Sequence, residues 1–448
     1  MSVKKQFTKY VSQNVLGMIG MSLYILADTF FISLAVGANG ITALNLVLPV
    51  YSLIFAIGSM IGVGSGIRFS VARSRNAEDK DSYFFNALFF GTVIGIFFML
   101  IGGLIPDKIV GFLGGDATII AVGAPYTRIF MTFAPCFIWN YICNAFVRND
   151  KAPSVAMAAT LFSSLFNIVM DYILMFPLGM GMEGAALATA FSPLIGVLIC
   201  CTHLCSRKCG VVLKPVRPSV LRLIRSCQVG VSAFVGEISS GVTTAVFNTI
   251  ILRIAGNIGV AAYGVVANTA LVAVSMFNGV SLGAQPLLSE FYGKREEKKV
   301  TQTMRLGIGT ALVFAIVIYL FVFLFTEPIA AVFNSEGNPV LAEYARTGLR
   351  LYFIGFLFAG VNIVGTGVLS AVESARWAFI TSILRGFVAI ILSAFIMSFF
   401  FGLNGVWLAF PVAEGITVLL MIVALRKETG VSVLWRSDKG QKKEKRIS

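Results

Sequence analysis

The stretch Phe166-Asn167-Ile168-Val169-Met170-Asp171-Tyr172-Ile173-Leu174-Met175-Phe176 is apolar except for Asn167 and Asp171. These two are four residues apart, so on a helix they share one face. A carboxylate inside an apolar run of bilayer length costs several kcal/mol unless something uses it. A second such acid, Asp28, sits in Ile25-Leu26-Ala27-Asp28-Thr29-Phe30. The N-terminal half therefore reads as built around a site where two acids meet and take up a cation.

The composition sets the surroundings of that site. Of 448 residues, 57% are hydrophobic and only 12% are charged, about half the charged share of a soluble domain. This is the signature of a polytopic membrane protein. Lys4, Lys5 and Lys9 precede an apolar segment too long for a signal-peptide core, so no cleavable leader is expected. The net charge of +14 invites a nucleic-acid reading. The basic residues cluster in alternate loops instead, which argues against it.

Twelve apolar spans can be marked, at 13–36, 41–66, 83–105, 121–147, 154–176, 183–206, 222–255, 260–290, 303–326, 340–370, 377–400 and 404–426. Pro49, Pro135 and Pro286 fall inside spans and should kink them. The Lys- and Arg-rich loops follow spans two, four, six and eight, and the tail from Arg426 is basic too. The opposite side carries only Lys108, Arg128, Arg253, Arg346 and Arg350. Both termini are thus expected in the cytoplasm, with the chain in a bacterial plasma (inner) membrane.

An internal repeat organises the spans. Residues 32–47 lie over residues 251–266 at a constant offset of 219, which carries Gly64 onto Gly283 and Ser70 onto Ser289. Gly181-Met-Glu-Gly184 matches Gly402-Leu-Asn-Gly405 at an offset of 221. Six is an even number of spans, so the halves are parallel repeats about an axis along the membrane normal. The expected fold is all-α, with twelve transmembrane helices in two pseudo-twofold-related bundles at 1–206 and 222–426. A linker at 207–221 joins them, and a basic tail follows at 427–448.

In this order the motifs resemble the MATE family of multidrug and toxin extrusion transporters, nearest its DinF- and MepA-type bacterial branch. The carriers begin with Ala27-Asp28-Thr29-Phe30-Phe31-Ile32, Leu48-Pro49 with the glycines 62, 64 and 66, and Arg148-Asn149-Asp150. Asn167 and Asp171 follow, ahead of Gly179-x-Gly181-x-x-Gly184 and Thr189, then Glu237 and Gly283-Ala284-Gln285-Pro286. The resemblance covers about residues 10–426. It implies a V-shaped pair of six-helix bundles and export driven by Na⁺ or H⁺. It also implies that Asp28, Asn167, Asp171 and Thr189 hold the cation.

Helical rise supports that quartet independently. Asp28 and Asp171 come out roughly 24 and 25 Å from the cytoplasmic starts of their spans, and Thr189 roughly 10 Å below the outer surface. In a core of about 30 Å these levels coincide. Four oxygen donors suit a hard cation or a shared proton. The competing reading of the acids is a structural ion pair or a buried protonated carboxyl. No Lys or Arg lies at that depth in spans one, five or six, which disfavours the pair. Asn167 and Thr189 read equally well as helix–helix hydrogen bonds.

Glu237 lies near the midplane of span seven and offers a second acidic site. It is not a repeat of Asp28, which falls on Phe247. NorM-type relatives pair such a glutamate with an acid of span ten, where this chain has Asn362, so substrate attraction fits Glu237 as well as ion coupling does. Glu414 in span twelve is a further intramembrane acid. Tyr24, Trp139, Asn140, Met157, Met170, Met175, Phe247, Met276 and Gln285 form the expected drug cavity, since aromatic and Met side chains adapt to varied apolar cations. In a chain with 39 Phe and 15 Met, packing is the alternative for each.

Cys201, Cys205 and Cys209 recur every four residues beside His203, the one histidine. The spacing could hold a metal. Reduced thiols at a helix end are the reading adopted, with no metal and no cofactor beyond the coupling ion, H⁺ or Na⁺. The expected function is antiport of cationic or amphipathic small molecules by a monomer in the lipid bilayer, with no nucleic-acid partner. A flippase for a lipid-linked precursor is the alternative, and it should carry several cations in its cavity; only Arg350 and Arg385 qualify. An enzyme lacks any paired catalytic motif. A channel fits the repeat less well than alternating access does.

Overall fold

The computed structural model describes residues 2–334 and 337–429. Those residues form helices and connecting turns, without strands. The expected tail lies, from residue 430 on, outside the described residues. In order the helices are α1 (Val3–Val36), α2 (Ala38–Ser74), α3 (Ser82–Leu104), α4 (Pro106–Phe112), α5 (Ala117–Thr132), α6 (Ala134–Asn149), α7 (Pro153–Met175) and α8 (Gly181–Leu204). They continue with α9 (Val220–Gly293), α10 (Glu297–Leu324), α11 (Thr326–Val332), α12 (Pro339–Tyr352), α13 (Phe356–Ala371), α14 (Ala375–Ile383) and α15 (Ile390–Thr429).

Among the described residues, nine helical stretches are long and apolar enough to cross a membrane, or ten with α5 and α6 taken as one broken span. Two of these must be doubled. At about 1.5 Å per residue the 74 residues of α9 would reach roughly 110 Å, more than three times a bilayer core. Gly256, at φ 63° and ψ −159°, folds α9 back on itself. Gly402, at φ 57°, does the same in α15. Only glycine takes up these backbone angles without strain. Counting the halves separately restores the twelve expected spans. Pro135 stands just past a 47° bend between α5 and α6. Pro49 and Pro286, expected to kink their spans, lie in helices that run on through them. Glycine breaks at Gly256 and Gly402 make the sharp turns instead.

The repeat is visible in the backbone. Most left-handed residues among those described come in pairs at offsets of 219 to 222, including Gly37 with Gly256, Asn76 with Arg295, Lys151 with Glu373, and Gly181 with Gly402. Ser289 Oγ donates to Ser70 Oγ at 2.9 Å. These two serines are equivalents, so the pseudo-twofold axis passes between them. About the axis, the backbone of Gly64 meets Ser226 and Gly230, and Gly283 meets Tyr10 and Val11. Val11 and Gly230 are themselves equivalents. Small residues allow this backbone approach.

Two large apolar cores form among the described residues, with a small third cluster of Ile67, Val71 and Val229 where α2 meets α9. One is drawn from Ile32 to Val211. The other runs from Phe247 to Leu425 and takes in Phe7, Tyr10, Val11 and Val15 from the foot of α1. That foot therefore packs with the C-terminal half. Every ion pair joining the halves, among the described residues, lies at the end carrying the basic loops. Lys151 pairs with Glu290 at 3.0 Å, and Glu373 with Arg68 at 3.0 Å and Arg75 at 4.0 Å. Lys151 and Glu373 occupy equivalent turns with opposite charge. Exposed apolar stripes such as Phe89, Val93, Phe97, Leu100 and Leu104 on α3 are the surface a lipid would cover.

Candidate functional site

Asn167 and Asp171 point from α7 into the N-terminal bundle and are 0% exposed. Thr189 meets them from α8, and Asp28 from α1. The structure thus brings the four residues together. The Asp28 and Asp171 carboxyls approach within hydrogen-bonding reach of each other. With its amide turned to satisfy both polar atoms, Asn167 donates to Asp171 Oδ2 at 3.1 Å and accepts from Thr189 Oγ1 at 3.3 Å. Asp28 Oδ1 and Asp171 Oδ1 are buried with no hydrogen-bond partner. Neither acid has a basic neighbour among the described residues. Two adjacent carboxyls, each with one orphaned oxygen, form a centre one cation or one shared proton would complete.

Two tyrosines extend the site, and neither was expected from sequence. Tyr126 of α5 lies within electrostatic reach of Thr189 and of Tyr51 of α2, and the Tyr51 hydroxyl is buried without a hydrogen-bond partner. The Tyr51 and Tyr126 rings lie 5.6 Å apart, both buried. A tyrosine in an apolar span carries no motif, so the available signal was only that each hydroxyl sits where a membrane interior offers few partners. Tyr24 lies within electrostatic reach of Asp28, Asp171 and Glu237. Glu237 also acts on Tyr141 of the other half, so it faces the space between the halves, apart from the Asp28–Asp171 pair.

Glu414 is not a free acid. Arg385 Nε donates to its Oε1 at 2.7 Å and Asn362 Nδ2 to its Oε2 at 2.6 Å. Spans brought side by side by the fold supply these partners. The expected cavity residues fall in different surroundings. Phe247 is fully buried in the C-terminal core, stacked on Tyr263 at 5.3 Å and edge-on to Tyr352 at 6.1 Å. The repeat puts it where the other half has Asp28, and the C-terminal half fills that position with packing. Trp139 turns toward α3 and donates to Thr92 Oγ1 at 2.9 Å. Gln285 and Met175 are buried. Asn140 is pressed against Gly196, with a buried Oδ1 that lacks a partner. Tyr24, Trp139, Asn140, Met157, Met170 and Met276 are half-buried and keep some surface for a ligand.

The three cysteines do not gather around His203. His203 Nε2 instead meets Asp150 Oδ2 at 2.8 Å, and Cys209 alone of the three joins them. Asp150 is already engaged by Arg73 and by the backbone N–H of Gly210 at 2.7 Å. Burial pushes the Cys209 thiol up to about 11, and Asp150 is held by Arg73 and Gly210 as well as by His203, which accounts for the cluster as a hydrogen-bonded ion-pair network. We expect the triple Cys201→Ser/Cys205→Ser/Cys209→Ser protein to export at close to the parental rate. Loss of export, or a stoichiometric metal in the purified protein, would refute this.

A family model described as MatE matches residues 15–173 and 233–396. The chain belongs to the MATE family. The matched blocks fall one in each half of the repeat. Among relatives, the multidrug export protein MepA of Staphylococcus aureus (strain MRSA252) is 27% identical over 421 residues, 92% of each chain. That of Staphylococcus saprophyticus is 28% identical over 440 residues, 95% of each. Two solved structures share the fold at 21% and 20% identity. One, an outward-facing multidrug resistance MATE transporter of the MOP superfamily, has a TM-score of 0.90 and covers 96% of both chains. The other, a MATE protein in a bent conformation, has a TM-score of 0.85 and covers 96% of this chain and 98% of its own. As a MATE protein of the MepA-like branch, the chain is a multi-pass membrane transporter and not an enzyme.

Proposed function

We propose that this chain exports cationic and amphipathic drugs by H⁺ or Na⁺ antiport with alternating access. It acts as a monomer in the bacterial inner membrane, with its basic end and both termini in the cytoplasm. The observation that carries the coupling is the meeting of Asp28 and Asp171, with buried, unpartnered oxygens and no basic neighbour. Two ionised carboxylates about 4 Å apart repel by about 4 kcal/mol at an effective dielectric of about 20. One cation relieves that repulsion. Relief draws the upper part of α1 toward α7, shrinks the space in the N-terminal half and displaces the drug. The relatives named for multidrug export support the cargo class.

The flippase reading needs cations in the cavity. Arg350 lies over the Phe323 ring at 5.2 Å and the Arg385 charge has Glu414 beside it; one guanidinium with its own counter-charge is fewer than the several cations that lipid-linked phosphates would need, so the pattern favours drug export. Proteoliposomes given a pH gradient or a Na⁺ gradient separately test the antiport; efflux driven by neither ends this reading. If the two acids share one ion, Asp28→Asn and Asp171→Asn each remove most of the coupling, and the double variant loses little more. Additive losses in a double-mutant cycle on drug-stimulated ion flux would assign the acids to separate sites.

A further inference from the structure

The C-terminal half carries a charged centre that the coupling site does not use. The repeat lays α13 onto α6 at an offset of 222, so Asn362 stands where the other half has Asn140. The same offset puts Arg385 on Ser163, and an offset of 221 puts Glu414 on Pro193. Arg385 lies roughly 15 Å from the start of α14, and Glu414 roughly 18 Å past the Gly402 break, both near mid-depth of a bilayer core.

Both Glu414 carboxylate oxygens are satisfied, one by Arg385 Nε and one by Asn362 Nδ2, which also reaches the Glu414 carbonyl at 3.0 Å. The Arg385 terminal nitrogens make no hydrogen bond among the described residues. The Glu414 side chain is 3% exposed, whereas that of Arg385 is 25% exposed. A bare guanidinium at this depth is strongly disfavoured in hydrocarbon, and the two terminal nitrogens are the part of this centre left without a protein partner among the described residues. Arg385 also sits in a π-helical turn, Leu384–Ala389, a distortion common at functional positions. Gly386 is pressed on Ser239 of α9, two residues from Glu237. Nearby, Asn362 Oδ1 is a buried acceptor without a partner.

We propose that Arg385 is an anion-recognising subsite, which takes the carboxylate of a zwitterionic substrate on its two terminal N–H groups. This rests on the drug-export reading and names part of its substrate class. Glu414 fixes the guanidinium plane through Nε and balances its charge when no substrate is bound. The far edge of the fork is left for bidentate binding. Lysine could supply the charge but not the fork.

The test is equilibrium binding of two probes to the purified full-length protein. One is an amine-bearing xanthene dye with a free carboxylate; the other is its methyl ester. Arg385→Lys should lower the ratio of acid to ester affinity about tenfold, the scale of one charge-assisted hydrogen bond. The paired Arg385→Gln/Glu414→Gln protein, which leaves no buried carboxylate unpaired, should do the same. An unchanged ratio in the paired variant, with both dyes bound, removes the subsite and leaves export standing. Parental protein that binds only the ester also removes it. Parental protein that binds neither dye overturns the export reading and the subsite with it.

Discussion

Asp171→Asn leaves the protein in the membrane and takes drug export down to the background of cells without the transporter. Asparagine keeps the volume and hydrogen-bonding capacity of the side chain, so the packing with Asn167 and Thr189 survives. What it removes is the negative charge. With one carboxyl left beside an amide, the repulsion a cation relieves is gone, and ion binding no longer favours one conformation over the other. Stability should hold, because the substitution takes a charge out of a low-dielectric interior rather than leaving one stranded. Drug-resistance assays at matched membrane expression decide the matter. Parental resistance in the variant would mean that coupling lies elsewhere.

Gly64→Ala should reduce export tenfold or more while each half stays folded. A Cβ at this position would stand 2.0 Å from Ser226 O, and the reciprocal Cβ at Gly230 2.0 Å from Met60 O. Both obstacles are backbone, so no side-chain rotation relieves the overlap, and the helices of the two halves must separate. Separation loosens the end where Ser70 meets Ser289 and where Lys151 and Glu373 reach across. Gly309→Ala, with nothing within 4 Å of its Cβ, is the control. Cross-linking between Ser70→Cys and Ser289→Cys reports closure directly. Gly64→Ala should cut its yield severalfold; full cross-linking with full export would show that the close approach is dispensable.

The parts of this protein that could be read from its sequence are those where the membrane makes a residue type rare. Asp28 and Asp171 stood out because a carboxylate in an apolar span is expensive, and helical rise set them at one depth. The repeat was legible for a similar reason: turn glycines such as Gly37 and Gly256 must recur wherever the backbone recurs. Tyr51 and Tyr126 were not legible, since a tyrosine in such a chain is unremarkable until its hydroxyl is placed. The Arg385–Glu414 pair is not legible either, since the partner of each charge lies on another span. The drug cavity was the least legible. Phe247 and Met276 carry the same apolar label, yet one is core and the other half-buried. In a membrane protein apolarity does not separate lipid-facing from inward-facing surface.

The foot of α1 has a bearing on how the chain is made. Phe7, Tyr10, Val11 and Val15 are synthesised well before the residues they pack with, since they belong to the core that holds Phe277, Val280, Ala284 and Leu288. At about 5–20 residues per second, their partners leave the ribosome roughly 15–55 s later. During that interval the nascent N-terminal bundle carries a first helix whose lower end has no docking surface of its own. Its last assembly step is therefore not internal to that bundle but waits for the fold-back at Gly256.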